Sequence, residues 1–95
     1  MAGTKITMRK QYSKNLIIQQ ISSTEFLLQV TDCKLAEELR LRLPSIFGRY
    51  ISKPKLIMSD KVQESHFTVS GMDSESFYRH LETLSPKHLD SLSSH

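Results

Sequence analysis

Five cations, Arg40, Arg42, Arg49, Lys53 and Lys55, fall within sixteen residues that hold no carboxylate, and Tyr50 stands among them. Guanidinium and ammonium groups bind phosphate by charge, and arginine adds a two-pronged hydrogen-bonding fork. A tyrosine in such company can stack on an exposed base. These six residues are the candidate binding set. Arg40 and Arg42 flank Leu41, so they leave a helix on different sides. Arg49, Lys53 and Lys55 have the spacing to share one face of an extended segment, although Pro54 disturbs the alternation. A solvated basic face that keeps the protein soluble explains the same residues without any partner.

The charge of the whole chain is divided in the same sense. Residues 1–55 carry ten Lys/Arg against four Asp/Glu, and residues 56–95 carry three against six, within an overall net charge of +3. A one-signed field on part of a small protein favours an anionic partner, be it nucleic acid or an acidic protein surface. No RNP1-like aromatic run, GxxG loop or zinc-finger spacing accompanies it.

Other chemistry is weakly signalled. Cys33 is the sole cysteine and cannot close an intramolecular disulfide, which points to a reducing compartment and a half-buried thiol at a helix start. His66, His80, His88 and His95 match no HxxxH or HExxH spacing. Glu37 and Glu38 are helix neighbours that point apart, and Asp73 with Glu75 reads as a cap and first-turn charge. Three glycines, Gly3, Gly48 and Gly71, cannot build a phosphate-cradling loop. No GxSxG or SxxK sequence marks a serine nucleophile. The sequence therefore predicts no enzyme, no cofactor, no metal and no small-molecule substrate.

Ninety-five residues make one domain, 1–95, with 38% hydrophobic and 24% charged residues, ordinary values for a globular protein. The N-terminus lacks the apolar core of a signal peptide, and Leu16-Ile17-Ile18 and Leu56-Ile57-Met58 are too short to span a bilayer. The expectation is a cytoplasmic or nuclear protein without a membrane.

Alternation places strands at Thr4–Arg9, Asn15–Ile21 and Phe26–Thr31, the last two forming a hairpin. Residues 1–12 read as an edge strand or an arm, and Gln11–Lys14 as a polar break. Asp32 is a natural cap for a helix carrying Leu35, Ala36, Leu39 and Leu43, with Glu37 and Glu38 early and Arg40 and Arg42 late. Pro44 is expected to stop it, leaving Ser45–Gly48 as a connection with Ile46 and Phe47 anchored in the core. Arg49–Asp60 reads as extended and edge-like around Pro54, Lys61–Ser65 as a polar loop, and His66–Ser70 as a strand ended by Gly71. Asp73 caps a second helix through Phe77, Leu81 and Leu84, widened by Tyr78. Ser85-Pro86 opens a short helical turn in the tail 85–95.

The fold expected is α+β: a two-layer sandwich in β-β-β-α-β-β-α order, with two helices on one face of a mostly antiparallel sheet. From Phe26 to Leu84 the order resembles a ferredoxin-like split unit lacking its last strand, whose place Asn15–Ile21 can fill. That resemblance concerns fold and implies no function. The sequence favours a small interaction module that meets a protein partner, or a second copy in a homodimer, through sheet edges and its basic face. The alternative is RNA or DNA binding on the Arg40–Lys55 stretch.

Overall fold

A computed structural model describes residues 8–52, 54–59 and 62–92. Strands β1 (Met8–Ser13), β2 (Leu16–Ser22) and β3 (Glu25–Val30) lead into helix α1 (Cys33–Phe47). A 3-10 turn at Gly48–Tyr50 precedes β4 (Lys55–Ser59) and β5 (Val62–Ser70), and α2 (Ser74–Leu81) and α3 (Pro86–Leu92) close the chain. The expected α+β order is therefore present, with α3 added where the C-terminal turn was anticipated.

The five strands lie in the order β1-β2-β3-β5-β4, every neighbouring pair antiparallel. Since β3 and β4 both oppose β5, they run in the same direction with β5 inserted between them. This is the split β-α-β arrangement, and β2 stands beside β3 in the place expected for it. The edges of the sheet are β1 and β4.

Alternation decides which residues meet the helices. Leu16 and Ile18 on β2, Phe26, Leu28 and Val30 on β3, and Phe67 and Val69 on β5 are all buried on one face. Against them α1 buries Leu35, Ala36, Leu39, Leu43 and Phe47, and α2 buries Phe77 and Leu81. These side chains form a single core, which includes all eight residues that periodicity assigns to it: Leu28, Val30, Leu35, Leu39, Phe67, Val69, Phe77 and Leu81. The opposite face of the sheet carries Ile17, Gln19, Leu27, Gln29 and Thr68, none of them fully buried.

Three local expectations need correction. Pro44 does not stop α1 but lies inside it, so Ser45–Phe47 form its last turn rather than a connection. The proline removes the N–H that would bond the Arg40 carbonyl, a defect of roughly 3 kcal/mol in a helix interior. Both residues are exposed, so water can reach that carbonyl. Continuing the helix one more turn buries Phe47 to 2% exposure, a side chain whose loss from a core costs about 3–5 kcal/mol. Burial wins. The helix then ends at Gly48, whose φ of +60° suits glycine and whose N–H reaches the Pro44 carbonyl. In this longer α1, Arg40 and Arg42 are central, not in the last turn, and the first turn holds no acid, so dipole pairing does not explain these charges.

The second correction is that β1 runs through Gln11 to Ser13, where a polar break was expected; Thr4–Thr7 lie outside the described residues. The third concerns the second half of the sheet. Arg49 belongs to the 3-10 turn, extended backbone begins at Ile51, which bridges Val69, strand β4 begins at Lys55, and β5 reaches back through Ser65 to Val62 in place of a loop. Glu64 and His66 face away from the helices, so a polar sequence there satisfies a half-exposed strand.

The helix caps form as their sequences imply. Asp32 Oδ2 accepts the Leu35 N–H at 2.9 Å, and Asp73 Oδ1 accepts the Ser76 N–H at 2.9 Å. Asp32→Ala is expected to cost about 1 kcal/mol in urea denaturation. At Asp73, the hydrogen bonds from Ser76 hold the carboxyl below its usual range. A depressed acid binds its proton more readily in the unfolded chain, so its stabilising contribution is present above the unfolded value, near pH 4. It is lost as pH falls through the folded value. Asp73→Ala should therefore melt earlier than the parent at pH 7, and this gap should close in strong acid.

Candidate functional site

The candidate cations do not converge. Arg40 and Arg42 are exposed on α1 and diverge around Leu41 as their spacing requires. Arg40 borders the furrow between α1 and the β4 side of the sheet, beside Pro54 and Phe67. Arg42 turns to the other flank of α1, where its Nε donates to Glu38 Oε1 at 3.3 Å. Arg49 lies 5.5 Å from the centre of the Tyr50 ring. Lys55 stands across from His66, whose face of the sheet is turned away from the helices. Lys53 lies outside the described residues. Because Arg49 is in the 3-10 turn, it shares no strand face with Lys55.

Tyr50 is half-buried against the core. Its ring packs on Gly71, where a Cβ would come within 3.1 Å of the tyrosine Cδ1. Gly71 also has φ +99°, so any side chain there would meet both strain and the ring. Tyr50 thus seats the 3-10 turn on the end of β5. The centre of the sheet's open face carries Leu27, Gln29, His66 and Thr68, with no Phe, Tyr or Trp among them.

The histidines and acids are engaged separately. His66 Nε2 lies 3.0 Å from Glu64 Oε1, and His80 Nδ1 donates to the Ser76 carbonyl at 2.7 Å. Arg79 pairs with Glu75 on the α2 surface. Among the described residues no three His, Cys, Asp or Glu side chains are grouped to hold a metal. No helix described is long and apolar enough to cross a membrane.

Cys33 is exposed in the first turn of α1, not half-buried as expected. The buried stripe begins at Leu35, which turns Cys33 outward. One thiol per chain should therefore react promptly with a disulfide reagent under native conditions. A thiol that reacts only in denaturant would contradict this placement.

The most unusual surface is at β4. Leu56 is 54% exposed and Met58 is 71% exposed. Their cross-strand partners, Ser65 and Gln63, lie on the β5 face that also carries Phe67 and Val69, so Leu56 and Met58 face the helical layer. That layer stops short of them. Between α1 and β4 runs an open furrow whose two parts, about 320 and 550 Å³, share Arg40, Pro54 and Phe67. A second cleft of about 690 Å³ separates α1 from α2 and α3, with exposed Leu41, Arg42, Arg79 and His88 and half-buried His80 on its walls.

The backbone of β4 can be assigned as well. Ser52 N–H donates to the Thr68 carbonyl and Gly71 N–H to the Thr24 carbonyl. Even-numbered residues of β5 therefore point their backbone groups toward β4, and odd-numbered ones toward β3. In register, Lys55 and Ile57 bond to β5, whereas the N–H and C=O of Leu56 and Met58 point out from the sheet edge. The sequence signal was the run Leu56-Ile57-Met58, which puts apolar side chains on both faces of one edge strand. No family model, curated protein or solved structure matches the chain.

Proposed function

We propose that this chain is a non-enzymatic protein-interaction module whose working surface is the β4 side of the sheet. The observation that carries this reading is the coincidence of three features on one strand: outward backbone donors and acceptors, two exposed large apolar side chains, and an open furrow beside them. An added strand gains main-chain hydrogen bonds from the first, and selectivity from the other two. Exposed apolar surface bordered by polar residues is what an interaction site presents.

Nucleic-acid binding on the Arg40–Lys55 stretch is the second reading. The density of charge in sequence favours it, but the described cations point in different directions and Tyr50 is committed to Gly71. A capture experiment in the source cells separates the two. Tagged parent, Met58→Lys and Arg49→Glu/Lys53→Glu chains are compared for bound protein and bound nucleic acid. Loss of specific proteins from Met58→Lys alone supports the β4 reading. Nucleic acid recovered with the parent and lost from the charge-reversed chain, with a steep salt dependence of oligonucleotide binding, overturns it in favour of the second.

A further inference from the structure

The outward groups of β4 are self-complementary. Leu56 and Met58 each present an N–H and a C=O on the free edge, one residue either side of Ile57. An antiparallel copy related by a two-fold axis through Ile57 sets Leu56 opposite Met58 of its partner, and Met58 opposite Leu56. All four N–H···O=C bonds then form. Moving the axis to Leu56 sets Met58 against Pro54, which has no N–H to give. Moving it to Met58 sets Leu56 against position 60, past the end of β4. Only the axis at Ile57 uses every outward group.

Side chains agree with this register. On the helix side, Leu56 and Met58 of both copies come together and cover apolar surface that each chain alone exposes. On the other face Ile57 meets its own symmetry mate. Within β4, Lys55 falls opposite Ser59, so no like charges face each other along the paired strands. The proline and lysine that begin this edge limit the length that can pair, which is how edge strands restrict indiscriminate association.

We propose that β4 pairs with β4 of a second copy about a two-fold axis through Ile57, joining two five-stranded sheets into one. The contact is isologous, so it closes as a dimer and cannot extend. This rests on β4 being the working edge, and names its occupant.

The test uses the full chain in a Cys33→Ser background. Sedimentation should give twice the monomer mass for the parent, and the monomer mass for Met58→Lys with an unchanged circular dichroism spectrum. Mild oxidation should cross-link Ile57→Cys to itself, because residues facing each other at a non-hydrogen-bonded pair approach within disulfide range. Leu56→Cys should cross-link efficiently only when mixed with Met58→Cys. In the unsubstituted chain, the Leu56 and Met58 amides should be protected from hydrogen exchange at high concentration and lose that protection on dilution, a measurement that needs no variant to fold. A parent that stays monomeric overturns self-pairing, as does a dimer that Met58→Lys leaves intact. A dimer in which Leu56→Cys joins itself faster than Ile57→Cys overturns the register. Self-pairing can fail while the edge reading survives, because the capture comparison with Met58→Lys reports on any other occupant.

Discussion

Phe77→Ala should lower the free energy of unfolding by about 3–5 kcal/mol, the range for removing a buried phenylalanine ring. Phe77 is fully buried and lies at the centre of a stack. Its ring is parallel to Phe26 of β3 at a centroid distance of 4.1 Å, and to Phe47 of α1 at 5.5 Å. Tyr78 meets it edge-on at 5.0 Å. One side chain therefore joins the sheet, the last turn of α1 and the whole of α2. Truncation leaves a cavity between three elements and abandons the ring contacts, each worth about 0.5–1.5 kcal/mol beyond buried area. Small domains are stable by only about 5–15 kcal/mol, so this variant should be marginal. Phe77→Leu should recover part of the loss, because it refills volume without restoring the stack. Urea denaturation with an unchanged slope checks both. A loss under about 1 kcal/mol for the alanine variant would mean that Phe77 does not centre the core.

Phe77 also shows what is legible in a sequence of this kind. Its place follows from spacing alone: Phe77 and Leu81 recur at a helical interval behind Asp73 and are buried on α2, whereas Leu84, expected on the same stripe, is buried in the turn just past the end of the helix. The Phe26–Val30 alternation and the Leu35–Leu43 stripe are equally local signals. What escaped depends on tertiary context. Pro44 has a strong local preference to end a helix, and only distant core partners, the Phe77 and His80 rings among them, make continuation to Phe47 worthwhile. The Gln63–Ser65 part of β5 reads as polar because Glu64 faces away from the helices and the helical layer stops short of Gln63 on the other face. The exposed apolar side chains of the β4 edge are hard to read for a related reason. Charge is conspicuous in a sequence, but folding sends Arg40, Arg42 and Lys55 in different directions. Leu56 and Met58 look like core residues, and become informative only once the helices are seen to stop short of them.

Leu89→Ala should release α3 from the body of the protein, removing about 2–5 kcal/mol of docking energy. A helix of seven residues cannot hold itself together in water, so α3 exists through its contacts. Leu89 is its one fully buried side chain. Leu92 packs against the core only partly buried, and the polar ties come from the β1 side. Tyr12 lies at a register shift between Gln11 and Ser13, and its hydroxyl donates to the Leu84 carbonyl at 2.8 Å. The Lys14 N–H donates to Asp90 Oδ1 at 2.8 Å. Burial, and then the nearby Glu82 carboxylate, raise the Tyr12 phenol above its ordinary value, which keeps it protonated and able to donate. Such hydrogen bonds contribute about 0.5–1.5 kcal/mol each, less than the apolar contact; the Tyr12 bond holds the turn before α3 and only the Lys14 bond reaches α3 itself, so they cannot retain it once Leu89 is cut back. The loss should therefore be local first. Hydrogen exchange should show the α3 amides opening in Leu89→Ala while the amides of β3 and β5 keep most of their protection. Fast exchange throughout the sheet would show α3 to be part of the cooperative core, and exchange unchanged in α3 would show that Tyr12 and Lys14, not Leu89, hold it in place.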